Sequence, residues 1–192
     1  EVSVYARNPD AINPLAKQGA IGSNSYRELV EKLHSPKIIF LMVTHGKPVD
    51  EVIAGLVPDL LAGDIIVDAG NSFYKDSIRR AKALAKKSIH FLDAGTSGGL
   101  DGARNGASIM VGGPREAFEI VEPVFRALSV PKGYAWLGDS GAGHFVKMVH
   151  NGIEYCFLQS LGEGYQLLNK SKYNFDLREV TKVFQNGSVI RS

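Results

Sequence analysis

The sequence predicts an α/β fold, a doubly wound and mostly parallel sheet followed by the start of an all-α region. Three observations predict it. Short β-rich runs alternate with amphipathic stretches over the first 140 residues, those runs are almost wholly apolar, and after Gly143 a long stretch follows with very little charge. Alternation of strand and helix implies crossover-linked parallel strands. Strands that are apolar throughout imply a sheet covered on both faces.

The candidate strands are 2–6, 37–43, 64–68, 90–94, 107–111 and 134–137. Between them, 26–33, 49–61, 77–85 and 115–128 carry apolar residues three and four apart, the spacing of one helix face. Gly63 and Gly133 stand just before strands, where the end of a helix needs a positive φ. From 141 to 169 there is no proline, and only Lys147, Glu154 and Glu163 are charged where average composition gives roughly seven charges. One continuous helix there would be about 43 Å long. With so few charges it is expected to be covered on most sides. A further helix is expected over 176–185, capped by Asn174 or Asp176. The domain boundary is placed between 1–140 and 141–192.

Bulk composition narrows the function classes. Of the 192 residues, 44% are apolar and 22% charged, as in an ordinary globular protein. The net charge of +2, with no basic cluster on any one element, argues against a nucleic-acid partner. Cys156 is the single cysteine, and no Cys/His set has metal-ligand spacing, so no metal is expected. A reducing, cytoplasmic setting is the simplest reading. No signal peptide or membrane span is apparent, because the apolar runs are short or interrupted by charge. Both ends fall in mid-pattern, so a longer parent chain is expected.

Four features could carry chemistry. The first is Arg7 at the end of the opening strand, with no carboxylate before Asp10. In a Rossmann-like domain an acidic residue there holds the ribose of NAD, whereas an Arg suits the 2′-phosphate of NADP. The matching G-x-G-x-x-G turn would lie about 20 residues upstream, before Glu1. A solvated loop arginine is the plain alternative. The second is Asp68-Ala69-Gly70-Asn71-Ser72, directly after a buried strand. It reads either as a ligand turn or as a helix entry capped by Asn71 or Ser72. The third is the run from Asp93 through Gly95, Ser97, Gly98, Gly99, Gly102 and Ala103 to Gly106. Small residues with free backbone N–H groups suit an approaching carboxylate or nicotinamide, and a flexible loop is the alternative. The fourth is the long helix. At 3.6 residues per turn Lys147, His150, Asn151, Glu154 and Tyr155 share an arc of roughly 140°, against a remainder that is apolar. A buried Lys–Glu pair tying two domains together would account for the same charges.

The run Lys147-Met148-Val149-His150-Asn151-Gly152-Ile153-Glu154-Tyr155 resembles that of the 6-phosphogluconate dehydrogenases without a gap. So do Gly70-Asn71-Ser72, Ser97-Gly98-Gly99 with Gly102-Ala103, and Ile190-Arg191-Ser192. The likeness covers essentially the whole chain. Gly95-Thr96 is similar to the shorter bacterial branch, whose members include NAD-preferring enzymes, and Cys156 stands where a glycine is common.

That resemblance implies oxidation and decarboxylation of 6-phosphogluconate to ribulose 5-phosphate, with NADP (NAD being the alternative) as hydride acceptor. It implies Lys147 as the base at the C3 hydroxyl and, once protonated, as the group that polarises the 3-keto oxygen. Glu154 is implied as the acid that protonates C1; apart from the resemblance, opposite charges so close in sequence are expected to titrate as a coupled pair. Asn71, Ser97, Gly98, Gly99, His150 and Asn151 would hold the sugar acid, and Tyr155 and Arg191 its phosphate. Arg7, Asn8, Val43 and Asn71 would hold the cofactor. The first domain would then be a cofactor-binding domain and the second the start of a substrate and dimerisation domain. The assembly would be a homo-oligomer, dimer or tetramer, with further phosphate ligands from later residues and a second subunit. Two rivals stand beside this reading: a 3-hydroxyisobutyrate-type dehydrogenase, which does not decarboxylate, and a non-catalytic nucleotide-binding module.

Overall fold

The computed structural model describes residues 1–191; Ser192, the last residue of the resemblance above, lies outside the described residues. In chain order the elements are β1 (Ser3–Tyr5), α1 (Asn13–Ala16), β2 (Ile21–Ser23), α2 (Tyr26–Glu31), β3 (Ile38–Leu41), α3 (Lys47–Leu56), β4 (Ile65–Asp68) and α4 (Tyr74–Ala85). Then come β5 (His90–Ser97), α5 (Gly99–Asn105), β6 (Ala107–Gly112), α6 (Arg115–Leu128), β7 (Ser129–Gly138), α7 (Ala142–Lys170) and α8 (Leu177–Gln185). The described residues divide into two compact units, Glu1–Met148 and the stretch from Val149 onward.

In the first unit the sheet order is β3-β4-β5-β6-β7, with β1 and β2 forming a separate parallel pair. All neighbours are parallel except β5 and β6. Alternation along the strands sends side chains to two cores. Ile65, Val67, Leu92, Ala94, Ile109 and Val111 pack against Ala117, Phe118, Val121 and Phe125 of α6. On the opposite face Ile39, Leu41, Ile66 and Phe91 meet Leu29 and Val30 of α2, Val49 and Leu56 of α3 and Leu84 of α4. Each large side chain taken fully out of water there contributes roughly 1.5–3 kcal/mol. The doubly covered sheet is therefore the α/β arrangement that the alternating pattern predicts.

The structure departs from the sequence reading in several places. β5 continues to Ser97 because β6 pairs with it antiparallel, Gly95 opposite Met110 and Ser97 opposite Ser108. The second half of the glycine-rich run is helix α5, not an open loop. Gly133 does not follow a helix end, since α6 passes directly into β7 at Ser129. The register there jumps from Ala107–Ser129 to Ile109–Tyr134, and the positive φ falls on Lys132, at 64°. The entry to α4 is capped by neither Asn71 nor Ser72: Phe73 holds the cap position without a side-chain bond.

In the second unit, α8 is capped by Asp176, whose carboxylate accepts the Arg178 N–H at 2.9 Å. Tyr165 of α7 contacts α8 through the Thr181 hydroxyl at 2.8 Å and edge-on through the Phe184 ring. The expectation that α7 is covered on most sides is not met within this chain. Its buried residues are Gly143, His144 and Lys147, whereas Ile153, Phe157 and Leu167 are exposed. Its apolar composition thus exceeds what the described residues of this chain can cover. No helix among the described residues is long and apolar enough to cross a membrane, and no group of three metal-ligating side chains is found among them.

Candidate functional site

The start of α7 rests directly on sheet backbone. A Cβ on Gly143 would collide with the carbonyl oxygens of Asp93 and Met110, and one on Gly112 would sit 2.7 Å from the Gly143 nitrogen. Glycine at both positions is what allows helix and sheet to approach this closely. The Asp93 carboxylate, wholly buried at β5, accepts the Gly141 N–H at 2.7 Å and the His144 N–H at 2.9 Å. Backbone donors at a helix N-terminus otherwise lack partners, and the helix dipole favours a negative charge there. An acid on one element thereby fixes the start of another.

At the third residue of the helix, the His144 ring is buried. Its Nε2 lies 3.0 Å from the Gly70 carbonyl oxygen and its Nδ1 2.7 Å from the Ser77 hydroxyl. A carbonyl can only accept, so Nε2 carries a hydrogen and donates it. In the neutral ring Nδ1 then accepts from Ser77. The histidine joins α7 to α4 and to the turn after β4.

That turn is held from below by Arg80. Its guanidinium is buried and donates to Asp50 Oδ1 at 2.8 Å, to the Gly46 carbonyl at 2.9 Å and to buried Asp68 Oδ2 at 3.4 Å. Asp68 Oδ1 in turn accepts the Gly70 N–H at 3.2 Å. Burial pushes the Asp50 carboxyl up, but hydrogen bonds from Arg80 and Arg79 outweigh it and hold the group below its ordinary value. Arg79 is raised, chiefly by its bond to Asp50. A Cβ on Gly70 would lie 2.9 Å from the Val43 carbonyl oxygen, so the loops after β3 and β4 meet backbone to backbone.

Val43, Asn71 and Ser97 thus follow or close the carboxyl ends of the neighbouring parallel strands β3, β4 and β5. Ligands of open α/β sheets bind beyond such ends. Asn71 is exposed at its turn, and the neighbouring Ser72 hydroxyl is buried without a hydrogen-bond partner. Gly98 and Gly99, both at positive φ, form the entry to α5. Lys147 is buried, its Cβ so near Gly95 that a methyl group there would overlap it. Arg7 is exposed after β1, and the Asn8 side chain caps the following turn by accepting the Asp10 N–H at 3.0 Å. In the second unit His150 Nδ1 lies 3.2 Å from Asn151 Oδ1 and 3.7 Å from Glu154 Oε2. Glu154 and Tyr155 are exposed on α7, and Arg191 is exposed beyond α8. The sequence reading missed Asp93 as an anchor, His144 and Arg80. Arg80 left a trace: it lies in the buried stripe Ser77, Arg80, Leu84 of α4, where a solvated arginine would not sit.

The family model described as the NAD binding domain of 6-phosphogluconate dehydrogenase matches residues 1–138, and that of the 6-phosphogluconate dehydrogenase C-terminal domain matches 143–187. The Bacillus subtilis protein YqeC, by name a candidate 6-phosphogluconate dehydrogenase, is 49% identical over 192 residues, covering 100% of this chain. A Haloferax volcanii enzyme named as an NAD⁺-dependent, decarboxylating 6-phosphogluconate dehydrogenase is 46% identical, again over 100% of this chain. The chain spans 64% of the length of each of these relatives. Among solved structures, Plasmodium falciparum 6-phosphogluconate dehydrogenase, described with NADP⁺ and with 6-phosphogluconate, superposes with a TM-score of 0.88 at 34% identity, over 96% of this chain and 42% of that one.

Proposed function

The chain belongs to the 6-phosphogluconate dehydrogenase family, and from that premise we propose that its full-length protein converts 6-phosphogluconate to ribulose 5-phosphate and carbon dioxide. The observation that carries this reading is a buried lysine, Lys147, packed on Gly95 of the strand adjoining the Gly70–Asn71 turn.

The residues present fit a dinucleotide. Val43 and Gly70 offer backbone at the ends of adjacent parallel strands, and Arg7 stands exposed after β1. Val43, Asn71, Arg7 and Asn8 would hold the group, Arg7 through charge-assisted bonds to a phosphate. When bound, the nicotinamide supplies the hydride acceptor. Lys147 takes the proton from the C3 hydroxyl as a 3-keto acid forms. A free lysine is protonated at neutral pH, so this step requires the site to hold the amine in its neutral form. The resulting ammonium then stabilises charge growing on the 3-keto oxygen as the C1 carboxyl leaves, so a fixed cation does the work of a metal. Glu154 gives a proton to C1. Asn71, Ser97, Gly98, Gly99, His150 and Asn151 hold the sugar acid, and Tyr155 and Arg191 its phosphate, in a homo-oligomer.

The test is to assay the full-length protein with 6-phosphogluconate and with 3-hydroxyisobutyrate while trapping carbon dioxide. Turnover of the sugar acid with one carbon dioxide per reduced cofactor is expected. Oxidation of the hydroxyisobutyrate alone, without gas, would transfer the protein to the non-decarboxylating class, and inertness to both would favour a binding module. For the cofactor we propose NADP, because no carboxylate follows β1 before Asp10. NAD is the second reading, favoured by the name of the Haloferax volcanii relative.

A further inference from the structure

We infer that His144 is a positioning residue, which sets the orientation of Asn71 by holding the Gly70 carbonyl. The inference rests on the reading above, in which Asn71 touches both substrate and cofactor. His144 is fixed at three points. Its backbone N–H donates to buried Asp93 at 2.9 Å, its Nδ1 meets the Ser77 hydroxyl at 2.7 Å, and its Nε2 meets the Gly70 carbonyl at 3.0 Å. The backbone bond fixes where the residue sits at the start of α7, and from there Nε2 reaches the Gly70 carbonyl.

The Gly70 carbonyl and the Asn71 N–H belong to one planar peptide unit. Holding the oxygen therefore fixes that plane, and with it the direction in which the Asn71 Cα leaves the turn. The other restraints on Gly70 do not act on this peptide unit. Its N–H, in the preceding peptide unit, donates to Asp68 at 3.2 Å, and a Cβ on it would lie 2.9 Å from the Val43 carbonyl oxygen. The following Ser72 hydroxyl is buried and finds no hydrogen-bond partner among the described residues. Among the described residues, no backbone–backbone hydrogen bond of the turns and loops reaches Asn71 or Ser72. A core histidine with only a packing role would not need Nε2 directed at the one carbonyl that precedes Asn71.

Two substitutions separate the two ring nitrogens. Glutamine reaches the Nε2 position and can donate to Gly70, whereas asparagine reaches only the Nδ1 position and keeps Ser77. In the full-length protein, His144→Asn is expected to lower kcat with 6-phosphogluconate by about tenfold or more, the scale of a small misplacement of a catalytic contact. His144→Gln is expected to restore it to within about threefold. In an Asn71→Ala background His144→Asn should change kcat by less than about threefold, because a residue that acts through Asn71 has nothing left to position. Equal losses in the two single variants, or a loss that multiplies in the Asn71→Ala background, would overturn the inference.

Hydrogen exchange over residues 69–73 gives a readout independent of activity. It should quicken in His144→Asn and not in His144→Gln, and equal exchange in both would overturn the inference. If His144→Asn does not fold, Ser77→Ala takes its place. It leaves the Gly70 bond intact, so kcat should stay within about threefold, and a loss as deep as that of Asn71→Ala would overturn the inference. An unaltered protein inert to 6-phosphogluconate would instead remove the parent reading, and this one with it.

Discussion

Lys147 of α7 packs its Cβ against Gly95 of β5 at a distance that leaves no room for a methyl group on the strand. The lysine is 8% exposed, so its stem is set by the sheet and not by solvent. The Gly143 carbonyl lies 3.0 Å from the same would-be methyl, so helix and lysine would have to move together.

Gly95→Ala should therefore displace Lys147 without disturbing either core. The expected result in the full-length enzyme is a fall in kcat on the order of a hundredfold, from misplacement of about an ångström, with a smaller change in KM. Steady-state kinetics with 6-phosphogluconate measures it, and an unchanged kcat would mean that the packing does not position the amine.

Asp93→Ala should loosen the start of α7. It leaves the Gly141 and His144 N–H groups buried without an acceptor. Hydrogen bonds to a charged group are worth about 1.5–3 kcal/mol each, so the denaturation midpoint should fall clearly. Asp93→Asn, which keeps one acceptor oxygen, should fall less.

Much of this organisation was legible in the sequence, and the exceptions share a cause. The β4 run and the α6 stripe read directly, because their signals lie within a few residues. The lysine and its companions on α7 stood out against an uncharged background. Asp93, His144 and Arg80 act on partners 48, 74 and 30 positions away, and no local pattern announces such pairings. The extent of β5 was hidden for the same reason, since its last residues pair only with β6. Gly133 was misread because a glycine before a strand looks the same whether it ends a helix or lies inside an irregular strand.

Acid stability should depend on Asp50. Burial raises its folded-state pKa, but the hydrogen bonds from Arg80 and Arg79 outweigh that and hold it below the ordinary aspartate value. A depressed carboxylate contributes stability above its unfolded pKa and loses it as the pH falls through the folded value. Melting temperature should accordingly drop below about pH 4, and Asp50→Asn should flatten that limb while lowering the plateau at neutral pH. An identical acid limb in the variant would remove the carboxylate from the account.

Cofactor choice should turn on Arg7. Arg7→Ala is expected to lower kcat/KM for NADP by about ten- to a hundredfold, the worth of one charge-assisted hydrogen bond of about 1.5–3 kcal/mol, and to leave NAD nearly unchanged. A preference for NAD in the unaltered enzyme would contradict the NADP assignment.

The most direct test is Lys147→Ala in the full-length protein, followed by simultaneous measurement of cofactor reduction and carbon dioxide release from 6-phosphogluconate. Loss of both signals together, by about a thousandfold or more, is the predicted result, with the fold intact by circular dichroism. Either signal at its unaltered rate would show that the amine of Lys147 does not carry the chemistry.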